Sequence, residues 1–330
     1  MSNLKFAIFG CGVIASFHAA ALADVVGAEL YACADVYPPA AEKFAEKQGI
    51  RMHADFDALL ADPKVDVVNI CTPNGTHAEL AIKALEAGKN VVLEKPMAIT
   101  AADCDRIIET AGKSKGKITV ISQLRTSPDI IRAREIISSG KLGKIVLADL
   151  TMKYYRAPEY FKGSWRGTKK MDGGGALMNQ GIHGVDILQY LVGPVKNIQS
   201  TVRTLSHEIE VEDTAVCTLE FANSALGVII ASTATHPGFN RQIRINGTRG
   251  AVEIVEDTIV RLVIDGVDEP CREYSGANGA SSNTSISHSG HAKQLQIFVD
   301  VLNGEEREYV NEFEGKKAVE IIETIYKNTN

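Results

Sequence analysis

LKFAIFGCGVIA, residues 4–15, is the stretch that decides the fold of this 330-residue chain. The apolar run from Phe6 to Phe9 is typical of a buried strand, and it breaks into Gly10-x-Gly12-x-x-Ala15 where a helical pattern begins. The first glycine of such a turn permits a tight bend, and the second lets the backbone approach a pyrophosphate at the positive end of the helix. The stretch therefore predicts a dinucleotide site formed by Gly10, Gly12, Val13, Ile14 and Ala15.

An acidic residue follows at the distance that such a site requires. Asp35 ends a second apolar run, Leu30 to Ala34, about 20 residues after the glycines. A carboxylate there accepts hydrogen bonds from the ribose hydroxyls of NAD and repels the 2′-phosphate of NADP. We therefore predict NAD as the cofactor, with NADP disfavoured. The alternative is a glycine turn in an ordinary βαβ unit, with Asp35 as a polar strand end.

Composition excludes several classes of protein. The chain is 45% hydrophobic and 23% charged, as soluble globular proteins are, and its net charge of −6 argues against nucleic-acid binding. Its six cysteines include no CxxC pair, which is typical of a reduced protein. No signal-peptide pattern or bilayer-spanning stretch is found. We expect a cytoplasmic protein that acts on a small molecule, without metal, nucleic acid or membrane partners.

The pattern of strands and helices predicts two domains. Short strands alternate with helices to about residue 120, which predicts an α/β domain with a doubly wound parallel sheet, a Rossmann domain over residues 1–122. Residues 123–330 contain longer, alternating strands, which predict an α+β domain for substrate binding and oligomerisation. Its large open sheet is expected to be mostly antiparallel. If helices cover one face only, the other face becomes the interface of a homodimer or homotetramer.

Two polar motifs follow strands of the first domain, at the edge where open α/β sheets bind ligands. Thr72-Pro73-Asn74 follows the third apolar run, and Asn74 either holds a ribose or caps the next helix. His77 is expected to satisfy a local hydrogen bond. Glu94-Lys95-Pro96 follows the next strand, where the Lys95 ammonium would stabilise developing charge on an alcohol or ketone oxygen. The alternative is a surface lysine paired with Glu94.

A third motif lies in the second domain. Gly173-Gly174-Gly175 leads into a predicted helix that carries Asn179 and His183, whose spacing of four residues places them on one helix face. Histidine titrates near neutral pH and suits proton removal from a hydroxyl. Asp186 either orients His183 or serves packing, and the alternative for His183 is a buried structural histidine.

Taken together, these motifs resemble those of the Gfo/Idh/MocA oxidoreductases. Gly10-x-Gly12-x-x-Ala15, Thr72-Pro73-Asn74-x-x-His77, Glu94-Lys95-Pro96 and Gly181-Ile182-His183-x-x-Asp186 occur in that order over nearly the whole chain. The resemblance implies a Rossmann domain with a C-terminal sheet domain, dimers or tetramers, and NAD(P)-dependent oxidation of a CH–OH group in a sugar or cyclitol.

The resemblance also implies roles for individual residues. Lys95 and His183 are the implied catalytic residues that flank the reacting hydroxyl, and either one is the base. Besides the glycine turn and Asp35, the implied cofactor-binding residues are Thr72, Pro73, Asn74, His77, Glu94, Lys95, Gln123, Trp165 and Arg166. The implied substrate-binding residues are Lys95, Arg125, Tyr155, Arg156, Trp165, Asn179 and His183.

Asn179 departs from one branch of that family. Members that oxidise inositols carry Asp four residues before the histidine, and a neutral amide does not stabilise an imidazolium as a carboxylate does. Residues 164–188, with Gln123-Leu124-Arg125, more closely resemble members that act on glycosides or nucleotide-linked sugars. We expect a dehydrogenase for a sugar or glycoside hydroxyl, with C3 of a pyranoside as the candidate carbon. The alternatives are a UDP-aminosugar or uronate 3-dehydrogenase and a non-catalytic NAD-binding sensor.

Overall fold

The computed structural model describes residues 3–274 and 287–329, and the chain divides into two compact units. Unit 1 contains Met1–Gln123 and Ser287–Lys316, and unit 2 contains Leu124–Ile286 and Lys317–Asn330. The sequence-based division at residue 122 does not include the second segment of unit 1. The sequence of residues 276–290, rich in Ser, Gly and Asn, predicts a loop. Residues 276–286 lie outside the described residues, and residues 289 and 290 begin a helix.

The strands in chain order are β1 (Leu4–Phe9), β2 (Ala28–Ala34), β3 (Arg51–Met52), β4 (Val67–Ile70), β5 (Asn90–Leu93), β6 (Ile118–Val120), β7 (Ile145–Lys153), β8 (Val195–Arg203), β9 (Thr214–Phe221), β10 (Leu226–Ser232), β11 (Gln242–Gly247), β12 (Gly250–Val255), β13 (Thr258–Ile264) and β14 (Val267–Glu269). The α-helices are α1 (Val13–Ala23), α2 (Pro38–Gln48), α3 (Phe56–Ala61), α4 (His77–Glu86), α5 (Ala101–Ala111), α6 (Pro128–Ser138), α7 (Ile182–Val192), α8 (Ser289–Leu302) and α9 (Glu312–Lys327).

Unit 1 is built on a six-stranded parallel sheet in the order β3-β2-β1-β4-β5-β6, which confirms the predicted doubly wound sheet. Strands β1, β4 and β5 are consecutive in this order, so their carboxyl ends bring the three sequence motifs of the unit to one edge. Helix α8 joins the unit because Leu295, Phe298 and Val299 pack into the same core as Phe6 and Val92.

Unit 2 is built on an eight-stranded sheet in the order β14-β13-β12-β11-β7-β10-β9-β8. The sheet is mostly antiparallel, as predicted, and the exception is the parallel pairing of β7 with β10. Alternate residues such as Leu150, Ile229 and Ile243 are buried on the face against which α7 packs. The residues between them point to the other face.

One local feature differs from the sequence-based prediction. Residues Ala176–Gly181 form a π-helical turn before α7, whereas the sequence predicts one continuous α-helix from the glycine stretch onward. Asn179 and His183 therefore lie in different elements.

All six cysteines are described, and each is a free thiol. No helix among the described residues is long and apolar enough to cross a membrane.

Candidate functional site

The glycine turn between β1 and α1 has the shape of a phosphate cradle. Gly10 has φ +94°, and a Cβ there would lie 2.6 Å from the carbonyl oxygen of Cys71, so the position requires glycine. A Cβ at Gly12 would meet no described atom within 4 Å, which leaves the space before α1 open. The first turn of α1 contains no acidic residue. This helix end is therefore suited to an anion.

The small residue that follows, Ala15, is fully buried between α1 and the sheet, whereas Val13 and Ile14 are exposed and half-exposed. A larger side chain at position 15 would push the helix away from β1 and open the cradle. The small side chain of Ala15 thus allows the turn to lie close to the sheet.

Asp35 binds the glycine turn directly. Its Oδ2 accepts a hydrogen bond from the Cys11 N–H at 2.6 Å, and its Oδ1 accepts one from the Tyr37 N–H at 2.8 Å. The side chain is half-exposed at the end of β2, and the next residues, Val36 and Tyr37, are exposed. The carboxylate thereby couples the end of β2 to the cradle that the sequence predicts for NAD.

His77 joins the two polar motifs of unit 1. The ring is fully buried, with Nδ1 2.7 Å from the carbonyl oxygen of Pro96 and Nε2 3.0 Å from that of Thr72. Burial lowers the pKa of this imidazole, and the two carbonyl contacts oppose that effect. Both ring nitrogens are used within the protein, in line with the local hydrogen-bonding role that the sequence suggests. Its role as a cofactor contact stays a prediction.

The remaining predicted residues of unit 1 lie at the same sheet edge. Asn74 is buried at the start of a 3₁₀ turn, Asn74–Thr76, that leads into α4, and Thr72 Oγ1 lies 2.7 Å from Thr76 Oγ1. Lys95 is half-buried after β5, and the Lys95–Pro96 peptide bond is cis. Gln123 begins a 3₁₀ turn, Gln123–Thr126, after β6.

The π-helical turn in unit 2 is held by a buried carboxylate that sequence reasoning did not single out. Glu212 accepts hydrogen bonds from the Gly175 and Leu177 N–H groups, each at 2.9 Å, and from the Tyr326 hydroxyl at 2.9 Å. Burial raises the pKa of Glu212, and these three donors oppose the shift. A Cβ at Gly174 would lie 2.2 Å from the Tyr326 hydroxyl oxygen. The glycine stretch is therefore required by close packing around Glu212.

Asn179 lies in a polar network on this turn. Its Nδ2 donates to Oδ1 of Asp172 at 2.6 Å, and its Oδ1 accepts from Gln180 Nε2 at 3.2 Å. Gln180 in turn accepts a hydrogen bond from Arg156 at 2.9 Å and donates one to the Tyr160 hydroxyl at 3.0 Å. A carboxylate, an amide pair and a guanidinium are thus linked in one chain of hydrogen bonds.

Asp172 also holds the segment that carries Trp165 and Arg166. It is 1% exposed, and its Oδ2 accepts a hydrogen bond from the Gly167 N–H at 2.8 Å. The Arg166 guanidinium stacks on the rings of Tyr160 and Trp165, at 4.8 and 5.0 Å from their centroids. The structure therefore brings together Asn179, Arg156, Trp165 and Arg166, four of the residues predicted for unit 2.

The other predicted residues of unit 2 have separate surroundings. Arg125 is buried in a bidentate ion pair with Asp186, with N–O distances of 2.9 and 2.5 Å. His183, the second residue of α7, is half-buried. The Tyr155 ring packs edge-on against His236 at a centroid distance of 5.0 Å. Asp186, considered above as a partner for His183, thus has Arg125 as a partner.

Sequence reasoning missed Asp172, Glu212 and Tyr326. Asp172 directly precedes the glycine stretch, and an acidic residue next to three glycines was the one available signal. Glu212 lies 37 residues from Gly175, and no spacing rule connects them.

Comparisons with known proteins cover both units. A model described as "Oxidoreductase family, NAD-binding Rossmann fold" matches residues 4–122, and a model of the Gfo/Idh/MocA C-terminal domain matches residues 130–253. The chain is 29% identical over 281 residues to a myo-inositol 2-dehydrogenase of Thermotoga maritima, covering 82% of this chain and 81% of that one. It is 28% identical over 288 residues to a levoglucosan dehydrogenase of Pseudarthrobacter phenanthrenivorans, covering 76% and 73%.

A solved structure is also similar over nearly the whole chain. The WlbA dehydrogenase of Chromobacterium violaceum, determined in complex with NADH and UDP-GlcNAcA, is 31% identical, with a TM-score of 0.88. The match covers 99% of this chain and 94% of that one.

Proposed function

The chain belongs to the Gfo/Idh/MocA family of oxidoreductases with an NAD-binding Rossmann fold, and from that premise we propose that it transfers hydride between a sugar or glycoside hydroxyl and NAD. The observation that carries the proposal is the sheet edge of unit 1. The glycine cradle, the Thr72–Asn74 turn and Lys95 follow the adjacent strands β1, β4 and β5. This is the edge at which doubly wound sheets bind their ligands.

The cradle fits the proposed cofactor. The open space at Gly12 and the unblocked end of α1 suit a pyrophosphate, and Asp35 presents a carboxylate to a ribose. The carboxylate favours NAD over NADP, whose 2′-phosphate it would repel. When bound, NAD supplies the hydride acceptor.

Among the residues of the chain, we assign charge stabilisation and proton transfer to Lys95 and His183. The Lys95 ammonium stabilises negative charge on the substrate oxygen as its proton leaves, and either His183 or Lys95 accepts that proton. Asn179 holds a neighbouring hydroxyl, and its amide is oriented by Asp172. Most of the rate enhancement then comes from orientation.

A pyranoside is our first substrate candidate, with its C3 hydroxyl as the reacting group, and a UDP-aminosugar or its uronate is the second. The second candidate is supported by the similarity to WlbA, which was solved with UDP-GlcNAcA. A diphosphate needs cationic side chains, and Arg125, Arg156 and Arg166 are the candidates. Arg125 is already neutralised by Asp186 at 2.9 and 2.5 Å. That ion pair makes Arg125 the weakest of the three candidates for binding a diphosphate.

The open face of the unit 2 sheet supports a homodimer or homotetramer. Arg261, Glu253, Arg244 and Asp149 form one cross-strand row of alternating charge. A two-fold axis through the middle of this row would place each positive side chain opposite a negative one of the second copy. Burial raises the pKa of Asp149, whose Oδ1 is buried and has no hydrogen-bond partner among the residues that the structure describes.

The proposed activity is tested by following NADH formation, with NADP in parallel, on myo-inositol, levoglucosan, methyl and aryl glucosides, and UDP-N-acetylglucosamine with its uronate. The reverse reaction is tested with 3-keto glucosides and NADH. Lys95→Met should lower turnover by at least about 10²-fold while NADH binding stays within about threefold. Unchanged turnover in Lys95→Met would exclude the assigned role. NADH binding without turnover on any substrate would favour the sensor.

A further inference from the structure

Three side chains from distant parts of unit 1 form a buried cluster beside Lys95. Glu94 follows β5, His18 lies on α1 and His291 on α8, and they are 5%, 0% and 2% exposed. Glu94 Oε1 lies 2.9 Å from His18 Nε2 and 3.5 Å from His291 Nε2. The second oxygen, Oε2, accepts a hydrogen bond from the Lys95 N–H at 3.1 Å. Both oxygens of one buried carboxylate are thus occupied by protein groups.

The tautomer of His18 makes this histidine a donor to the Glu94 carboxylate. Asn69 Nδ2 can only donate, and it lies 2.8 Å from His18 Nδ1, so Nδ1 accepts and Nε2 carries the proton. That proton points to Glu94. The side-chain ligand atoms of His18, Glu94 and His291 lie within 4.8 Å of one another, a grouping that would otherwise suit a metal ion. The protonated Nε2 of His18, however, has no lone pair with which to bind a metal.

The electrostatics agree with an ionised Glu94. Burial disfavours its charge, but the hydrogen bonds from His18 and His291 outweigh burial and hold the pKa of Glu94 well below its usual value. Burial lowers the pKa of His18, which favours its neutral form. A carboxylate in such a place is stabilised only while its donors stay in position.

The cluster fixes one side of the Lys95–Pro96 segment, and His77 fixes the other. The Lys95 N–H is bound to Glu94, and the Pro96 carbonyl oxygen lies 2.7 Å from His77 Nδ1. Because the backbone is held on both sides, the position from which the Lys95 side chain extends is restricted.

We propose that Glu94, with His18 and His291 as its donors, is the positioning residue for Lys95. The inference rests on the proposed function, in which Lys95 touches the substrate. It gives His291 a part in the reaction although the residue lies 196 positions after Lys95 and on a different segment of the unit. It also makes Glu94 a support for Lys95 and not a cofactor contact.

The test compares two substitutions of His291 with a control at the residue before the same helix. His291→Gln keeps an N–H near the position of Nε2, and His291→Leu removes it. His288→Gln is the control, because His288 immediately precedes α8, is partly exposed and contacts Asp24 at 2.9 Å. Glu94→Gln is a second variant that keeps the shape of the side chain and removes its charge.

We expect kcat on the substrate identified by the panel to fall roughly tenfold or more in His291→Leu and Glu94→Gln. KM and the Kd for NADH should stay within about threefold, because neither His291 nor Glu94 itself contacts the substrate or the cofactor in this inference. His291→Gln should restore kcat to within about threefold of the wild type, and His288→Gln should match the wild type.

A second readout needs no turnover. Trace labelling of the folded protein with acetic anhydride, followed by mass spectrometry, reports the accessibility of the Lys95 amine. We expect several-fold faster labelling of Lys95 in His291→Leu and Glu94→Gln than in the wild type, with His291→Gln and His288→Gln unchanged.

The outcomes separate this inference from the proposed function. If Lys95→Met is inactive while His291→Leu and Glu94→Gln keep wild-type kcat and labelling, Glu94 does not position Lys95. Equal losses in His291→Leu and His291→Gln would mean a packing role and would also overturn the inference. One equivalent of bound zinc in the purified protein would replace it with a metal site. Full activity in Lys95→Met would instead overturn the proposed function.

Discussion

Asp35 has two roles, and its position in the sequence does not distinguish them. It is the acid that the dinucleotide pattern requires, and it also accepts backbone hydrogen bonds from Cys11 and Tyr37. Removing the side chain would therefore disturb the glycine turn as well as cofactor selection. An asparagine removes the charge but keeps one of these hydrogen bonds, since its amide oxygen accepts from one N–H group and its NH2 group cannot accept from the other.

We predict that Asp35→Asn relaxes the preference for NAD. The ratio of kcat/KM for NAD to that for NADP should fall about tenfold or more, because the amide no longer repels a 2′-phosphate. Titration of NADH and NADPH fluorescence checks the same ratio at the level of binding. Asp35→Ala should show the same loss of selectivity together with a lower melting temperature. An unchanged ratio in both variants would contradict the assignment.

Glu94 predicts a specific dependence of stability on pH. Its pKa in the folded protein is well below the usual value of 4.5, so its ionised form adds stability that is fully present above pH 4.5. That stability is lost as the pH falls through the lower folded-state pKa. The melting temperature of Glu94→Gln should therefore lie below that of the wild type at pH 7, and the gap should close below pH 4.5.

Glu109→Gln is the matched control for this measurement. Glu109 pairs with Lys113 at 2.6 Å, and both side chains are exposed. Exposed pairs of this kind contribute little to stability, so Glu109→Gln should follow the wild-type curve at every pH. A gap for Glu94→Gln that does not change with pH would mean that Glu94 is not ionised in the folded protein.

At the scale of elements, the turn before α7 shows why a glycine stretch can be located from sequence but not explained by it. The pattern correctly marks the approach to α7. It does not reveal the π-helical turn, which depends on the hydrogen bonds from Gly175 and Leu177 to Glu212. Helix periodicity does not indicate that the carboxylate of Glu212, from the segment before β9, binds this turn. The same holds for Asp172, which lies seven residues before Asn179 and fixes its amide through one side-chain hydrogen bond.

We predict that Gly175→Ala is strongly destabilising. A Cβ there would lie 1.8 Å from the Glu212 carbonyl oxygen, so the backbone of one segment must shift. The free energy of unfolding should fall by about 2–4 kcal/mol, measured from urea unfolding curves. Gly112→Ala is the control, because Gly112 has helical φ and its nearest contacts are at 3.6 Å. It should stay within about 1 kcal/mol of the wild type, and similar losses in both variants would contradict the packing argument.

At the scale of the whole molecule, the sequence predicts both sheets because each has its own periodicity. Apolar runs predict the buried parallel strands of unit 1, and alternation predicts the strands of unit 2. The return of residues 287–316 to unit 1 is not predictable in this way. The apolar positions of α8, Leu295 and Phe298, suit any apolar surface, and only their packing with Phe6 and Val92 assigns the helix. Motif residues were therefore located, while the distant residues that support them, such as His291, were not.

The open face of the unit 2 sheet also determines how the whole protein is expected to assemble. Val216 and Leu226 are 49% and 59% exposed, and Ile230, the cross-strand neighbour of Val216, points to the same face. These apolar side chains share the sheet with the alternating row of Arg261, Glu253, Arg244 and Asp149. Apolar area supplies the affinity of such an interface, and the charge row supplies its orientation.

We therefore predict a dimer or tetramer that Val216→Arg converts to a monomer. The substituted guanidinium would lie beside Ile230 on the apolar part of this face, where contact with a second copy removes its water without giving it a partner. Sedimentation velocity at micromolar concentrations measures the change, and Val26→Arg is the control because Val26 is 79% exposed on unit 1. Arg244→Glu should weaken association, and adding Glu253→Arg should restore it, since the swap again places opposite charges at positions 253 and 244 of the two copies. A monomeric wild type, or a Val216→Arg variant that stays assembled, would show that this face is not the interface.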